Sequence, residues 1–283
     1  MKSRSLPVMV RIMRFIFKWL GKVWPEIVAY FAYRIWFKSP RYPVSKREQK
    51  WCELSLQDFY SIVGRNISVL RWGASTPGYI LLMHGWSGRA AQLGSFVNPI
   101  NSKGLGVISF DAPGHGLSDG RSTNIYQIAN VVNELVKKYG TPKAIIAHSF
   151  GGMAAALAIR KYQITTKKLV AISCPKDPYY LMKGFREYLN LNDQVMDIFN
   201  QKLFNEFSET IYDDISAENN LLQTSVDLLI VHDKEDKVVS WKQSDKLHSS
   251  LPDSTVLYTQ GLGHSRILRD KKVIDRILDF VQS

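Results

Sequence analysis

Cysteine is scarce: the 283 residues hold only Cys52 and Cys174, far apart and without metal-ligand spacing. That excludes a disulfide-stapled secreted scaffold and a thiolate zinc site, and makes a reducing compartment the expected setting. A long uncharged apolar run is also missing. Between Val8 and Phe37 no stretch goes more than seven residues without a charge, against about 20 needed to span a bilayer. Nor does this end read as a cleaved signal, whose apolar core would be continuous and followed by small residues. No internal repeat or low-complexity tract is present, and no residue cluster signals a metal or an organic cofactor.

Acidic residues are lacking at one end only. Residues 1–50 hold twelve Lys and Arg against Glu26 and Glu48, a balance of +10, whereas the rest of the chain holds 25 basic and 23 acidic side chains, a balance of +2. The overall charge of +12 therefore belongs to a segment. Within it, Arg11, Arg14, Lys18 and Lys22 recur at steps of three and four and share one narrow helical face, with Val8, Met9, Ile12, Met13, Phe15, Ile16, Phe17, Trp19, Leu20 and Val23 around the remainder. A basic stripe opposite apolar and aromatic residues suits a helix lying in a membrane interface. A second apolar piece, Ile27 to Phe37, is interrupted by Arg34. The expectation is a cytoplasmic protein attached peripherally, through residues 1–40, to an anionic inner membrane face. Packing of the segment on the body of the protein and dimerisation stay open beside it. Nucleic acid is not an expected partner, because no base-stacking platform accompanies the basic residues.

The remaining chain, 51–283, reads as one domain, and 45% apolar residues suffice for a sizeable core. Strand-like runs at Tyr79–Met83, Val107–Phe110, Ala144–Ile146, Leu169–Ser173, from Leu228, and at Thr255–Tyr258 alternate with helical patterns near Arg89–Asn101 and over Ile125–Lys138. Alternation of this kind predicts an α/β fold with a mostly parallel central sheet and helices on both faces. Ligands of such sheets bind beyond the carboxyl ends of the strands. About fifty residues of helical periodicity break the alternation, and 176–224 is read as a small helical cap over the site. Its aromatics either pack on the body or line a ligand pocket.

The segment Ala147-His148-Ser149-Phe150-Gly151 ends an apolar strand and opens a helix of small residues. That is the strand, sharp turn and helix in which a serine hydroxyl is held out as a nucleophile, with small residues two before and two after it. Ala147 stands where glycine is usual; its single methyl is the smallest departure. An acid-bearing loop follows the strand from Leu228, and Gly261-Leu262-Gly263-His264 follows the next strand. Nucleophile, acid and base thus run Ser149, Asp236, His264, an order that separates this arrangement from other serine triads.

With His84-Gly85-Trp86 after one strand and Asp111-Ala112-Pro113-Gly114-His115-Gly116-Leu117-Ser118 after the next, the chain resembles the α/β-hydrolase superfamily from about Gln57 to the C-terminus. The resemblance implies that His264 takes the proton of Ser149 and that Asp236, rather than the nearby Asp233, orients the imidazole. It implies oxyanion donors in the backbone N–H groups of Trp86 and Phe150, each worth about 3 kcal/mol. Serine at the turn argues against the epoxide hydrolases and haloalkane dehalogenases of similar fold, which place aspartate there. The expected activity is hydrolysis of carboxylic esters, acyl lipids among them, through an acyl-enzyme. A thioesterase or acyltransferase on the same triad, and a non-catalytic binding protein, are the alternatives. His84, His115, His148 and Asp111 are expected to brace loops, and Asp233 to cap one; His232 and His248 carry no signal. Arg89 fits either a substrate carboxylate or a helix cap.

Overall fold

In three central strands every residue is buried, so neither face of the sheet there meets water. The computed structural model describes residues 7–62, 64–74 and 78–283. In chain order its elements are α1 (Val8–Val23), α2 (Pro25–Trp36), α3 (Lys46–Glu53), β1 (Leu56–Ile62), β2 (Arg65–Trp72), β3 (Tyr79–Met83), a 3-10 turn at Ala90–Phe96, α4 (Val97–Asn101), β4 (Gly106–Phe110), α5 (Ile125–Tyr139), β5 (Ala144–His148), α6 (Phe150–Tyr162) and β6 (Lys168–Ile172). After these come α7 (Pro178–Leu189), α8 (Asp193–Glu206), α9 (Ile211–Asp214), α10 (Ala217–Leu221), β7 (Asp227–Asp233), α11 (Lys242–Ser250), β8 (Thr255–Thr259), α12 (Gly263–Arg266), a 3-10 turn at Ile267–Arg269 and α13 (Lys271–Gln282).

The strands form one eight-stranded sheet in the order β1-β2-β4-β3-β5-β6-β7-β8. β2 runs antiparallel to both β1 and β4, and all other pairs are parallel. β3, β4 and β5 are the strands buried throughout, as a parallel sheet covered on both faces requires. Leu82, Ile80 and Ile146 point into one core layer with Phe96, Ile100, Ile274 and Ile277 from the 3-10 turn, α4 and α13. Ala171 points the other way, toward α6, where a Cβ added at Gly152 would stand 4.0 Å from its own. Chain order reverses around β3, which lies between β4 and β5. Such a switch point leaves a crevice at the carboxyl ends of the strands, and the register Met83↔Ala147 brings the loop after β3 beside Ser149.

Periodicity alone does not single out β1 and β2, whose hairpin leaves most of β1 exposed or half-exposed. The helix expected over 89–101 is broken instead. Leu93 leaves helical geometry at φ −92° and ψ 17°, and the next residue, Gly94, lies so close to the Trp51 ring that a Cβ there would come within 2.2 Å of it. Pro99, lacking an N–H, sits in the first turn of α4, where no intrahelical acceptor is needed.

The described residues fall into two compact units that divide the chain differently from the sequence layout. One comprises the chain up to Lys38 together with Asp177–Asp214; the other comprises Ser39–Lys176 and Ile215–Ser283. The N-terminal helices are thus not a free segment. α2 buries Val28, Ala29, Ala32 and Tyr33; the Tyr33 hydroxyl donates to the Glu206 carboxylate at 2.5 Å, and the Tyr33 and Trp36 rings lie 5.6 Å and 6.2 Å from Phe199 of α8. α1 offers the Gly21 carbonyl to Asn192 Nδ2 at 2.9 Å. The expected cap, 176–224, is split: α7, α8 and α9 belong with α1 and α2, whereas α10 belongs with the sheet-bearing unit. Lys2 and Arg4 of the basic end lie outside the described residues.

Leu82, fully buried in β3, sets the scale of the core. Leu82→Ala is expected to cost about 2–5 kcal/mol of unfolding free energy, against under about 0.5 kcal/mol for Leu56→Ala on the exposed edge. Urea denaturation of the two variants checks the difference.

Candidate active site

The backbone at Ser149 is held where non-glycine residues rarely go. Its φ is 54° and ψ −125°, a conformation that costs about 1–3 kcal/mol and persists only when the surroundings impose it. They do so by close approach. A Cβ at Gly151 would stand 2.5 Å from the His84 carbonyl oxygen, and one at Gly85 would stand 2.9 Å from the Ser149 Cβ. The Ser149 N–H donates to the Ile172 carbonyl at 2.8 Å and its own carbonyl accepts from Gly152 at 2.9 Å. Strand β5 therefore ends, turns and becomes α6 within one residue, leaving the Ser149 side chain half-exposed.

The loop after β3 is equally constrained. Ser87 has φ 59° and donates its N–H to His115 Nε2 at 3.0 Å. The Trp86 ring meets Phe150 edge-on at 5.2 Å and His115 at 5.3 Å. Among the described residues no backbone acceptor outside regular elements takes the Trp86 N–H, and the Phe150 N–H opens a helix, where no intrahelical acceptor exists.

The segments after β7 and β8 carry Asp236 and His264. His264 Nδ1–H donates to Asp236 Oδ2 at 2.7 Å, with the carboxylate fully buried and the imidazole 14% exposed. Asp236 Oδ1 accepts from the Val238 and Val239 N–H groups at 2.8 and 3.0 Å, and His232 Nε2 lies 3.3 Å from Oδ2. Burial alone would raise this carboxyl, but the hydrogen bonds from His232, His264 and the Val238 N–H, with the charge of His264, outweigh it and hold it well below the usual carboxylate range.

Asp233 does different work. It accepts from Thr259 Oγ1 at 2.7 Å and from the Leu262 and Glu235 N–H groups, each at 2.9 Å. It ties the end of β7 to the loop that carries His264, as the expected loop cap. Asp236 and His264 are thus joined directly. Among the described residues no hydrogen bond runs from the Ser149 hydroxyl to His264; the link is His148, whose ring lies 4.6 Å from that of His264 and whose Nε2–H donates to the His264 carbonyl at 3.0 Å.

The remaining histidines brace loops. His84 donates from Nδ1 to the Gly85 carbonyl at 2.7 Å and accepts the Ala112 N–H at Nε2 at 3.0 Å. Asp111 accepts from Ala90 and Leu117 N–H at 2.7 and 2.8 Å, and Gly116, at φ +45°, leaves room for its carboxylate. His232, which carried no signal in the sequence, is fully buried between Ser244 Oγ at 2.6 Å and the Val239 carbonyl at 3.0 Å, behind Asp236. Only its spacing of four from Asp236 could have marked it. His248 pairs with Ser254 Oγ at 2.8 Å. Arg89 donates to the Tyr42 carbonyl and lies 3.9 Å from Glu48, and its side chain does not cap the turn that follows.

A family model described as "Alpha/beta hydrolase family" matches residues 80–276. No curated protein matches the chain by sequence. Among solved structures, a putative lipase from Acinetobacter baumannii AYE is 22% identical, covering 85% of this chain and 97% of its own, with a TM-score of 0.62. An esterase from Exiguobacterium antarcticum is 18% identical over 81% of this chain and 100% of its own, TM-score 0.60. A monoacylglycerol lipase from Paleococcus ferrophilus is 18% identical over 79% of this chain and 98% of its own, TM-score 0.57. At these identities the likeness is one of fold: an eight-stranded, mostly parallel sheet with its helices.

The bracing histidines make stability depend on pH. Burial, foremost, lowers His84 to about 4, and lowers His115 and His148 to about 3, from an ordinary 6.5. Between those values the unfolded chain binds protons that the folded protein refuses, so their contribution is complete above pH 6.5 and shrinks as the pH falls toward 4. Each adds up to about 1.4 kcal/mol per pH unit. The urea midpoint is expected to fall steadily from pH 7 to 5, with a shallower fall in His115→Gln; a flat midpoint in the parent contradicts this.

Proposed function

We propose, for a chain that belongs to the alpha/beta hydrolase family, that Ser149, His264 and Asp236 form a triad that hydrolyses carboxylic esters. The observation that carries the reading is the 2.7 Å hydrogen bond from His264 Nδ1–H to the buried Asp236 carboxylate. It fixes the tautomer with the lone pair on Nε2, the form that accepts a proton, and places a negative charge where the imidazolium needs one.

In the first step Ser149 Oγ bonds to the ester carbonyl carbon while its proton passes to His264 Nε2. The carbonyl oxygen becomes an oxyanion, for which the Trp86 and Phe150 N–H groups are the donors. Collapse of that intermediate breaks the bond to the alcohol oxygen, which leaves with the proton from His264. Water then attacks the acyl-enzyme by the same steps in reverse order, with His264 again taking and returning the proton. Hydrogen bonds between nucleophile and base are often long or unmade without substrate and tighten when it binds. That the solved fold relatives include lipases and an esterase supports an ester as the substrate class, and acyl-chain esters are the first to test.

Hydrolysis of nitrophenyl esters of increasing chain length is the assay. Ser149→Ala is expected to lose activity by about 10⁴-fold or more, and Asp236→Asn by about 10⁴-fold through the wrong histidine tautomer. Asp233→Asn, acting only through the loop, is expected to lose far less than Asp236→Asn. Equal losses in the two aspartate variants, or retained activity in Ser149→Ala, would overturn the assignment.

A further inference from the structure

Helix α1 has three longitudinal sectors where the sequence suggested two. Val10, Phe17 and Gly21 are buried on its inward side, and Gly21 lies so close to α8 that a Cβ would meet Val195 at 3.1 Å. On the opposite side, at steps of three and four, Val8, Ile12, Phe15, Trp19 and Val23 stand out in water with Met9 and Ile16. Met9 is 78% exposed, Phe15 67%, Val23 66% and Trp19 52%. Arg11, Lys18 and Lys22 run along one flank of that apolar strip, with the Lys22 Nζ 4.9 Å from the Trp19 ring centre. Arg14, the fourth member of the basic stripe, is occupied: it donates to the carbonyls of Glu187 and Tyr188 at 2.5 and 2.6 Å, in the last turn of α7. α2 continues the pattern, with Trp24 ahead of it and Ile27, Tyr30 and Phe31 exposed around Arg34. Glu26 is the only acid on either helix.

We propose that the outer faces of α1 and α2 dock on an anionic lipid surface. Exposed apolar surface on this scale marks an interaction site, and what borders it selects the partner. Trp, Tyr and Phe beside Lys and Arg, with one acid among them, match a hydrocarbon boundary topped by negative headgroups. A second copy of the chain fits less well, because a two-fold pairing of these helices would set basic stripes together without acids to offset them. No helix among the described residues is long and apolar enough to cross a membrane, so the helices lie in the interface. The inward faces of the same helices pack on α7 and α8, so docking carries those helices to the lipid as well, held by Arg14 and the Tyr33–Glu206 pair.

Flotation of the full chain with vesicles of phosphatidylcholine alone, or with one third phosphatidylglycerol, tests this. Binding is expected to the mixed vesicles, weaker by at least about tenfold to phosphatidylcholine alone, and falling as salt rises. Phe15→Ser with Trp19→Ser is expected to weaken binding by at least about tenfold, and so is the triple reversal Arg11→Glu, Lys18→Glu, Lys22→Glu. Unchanged thermal unfolding and unchanged cleavage of a short soluble ester show that each variant is folded. No binding to mixed vesicles, or equal binding by the Phe15/Trp19 variant, overturns the proposal. So does a dimer by light scattering in the parent that becomes monomeric in that variant, which would give the face to a second copy.

Discussion

Everything at the site depends on a turn with no room in it. Ser149 occupies a left-handed backbone conformation because β5 must become α6 at once, with the His84 carbonyl packed against Gly151 and the Ser149 Cβ against Gly85. Such strain persists only where the neighbours leave no alternative. The neighbours here are the ends of β3 and β5, paired in register through Met83 and Ala147 deep in the sheet. The cost of this turn is thus offset by burial of the central strands, from whose ends the Ser149 side chain projects half-exposed.

Polar groups around that turn are arranged so that loops, rather than helices, are fixed. His84 clamps the loop after β3 to Ala112, His115 clamps Ser87, and Asp111 gathers Ala90 and Leu117. On the far side Asp233 and Asp236 stand at the end of one strand and divide the labour. The first secures the loop leading to His264, and the second holds its imidazole. Burial keeps the bracing histidines neutral, which suits them to accept backbone N–H groups, while multiple donors keep both aspartates ionised.

Much of this was legible in the sequence because it lies in short segments whose chemistry is local. A strand that ends in Ala147-His148-Ser149-Phe150-Gly151 leaves the chain little choice, and the six parallel strands follow from apolar runs bounded by turns. Asp236 was separable from Asp233 only by resemblance until the structure gave each its partners. What the sequence hid is long-range. The antiparallel edge β1–β2 has no continuous apolar run. His232 takes its place through contacts that exist only once the chain is folded, with Ser244 Oγ, the Val239 carbonyl and the Asp236 carboxylate. The break at Leu93 stands beside Gly94, which is pressed against a tryptophan about forty residues upstream in a different element. Helical periodicity in α1 revealed amphipathicity but could not say which apolar residues would be covered; Phe17 is and Phe15 is not. The association of α1 and α2 with α7 and α8 joins stretches more than a hundred residues apart, for which no local pattern exists.

In the proposed triad one hydroxyl among many, that of Ser149, is made nucleophilic by His264 with Asp236 behind it. Peptide mapping by mass spectrometry after treatment with a fluorophosphonate tests it most directly. A single adduct is expected, on Ser149, that disappears in His264→Ala although the serine is still present. Labelling spread over several serines, or undiminished at Ser149 without the imidazole, would contradict it.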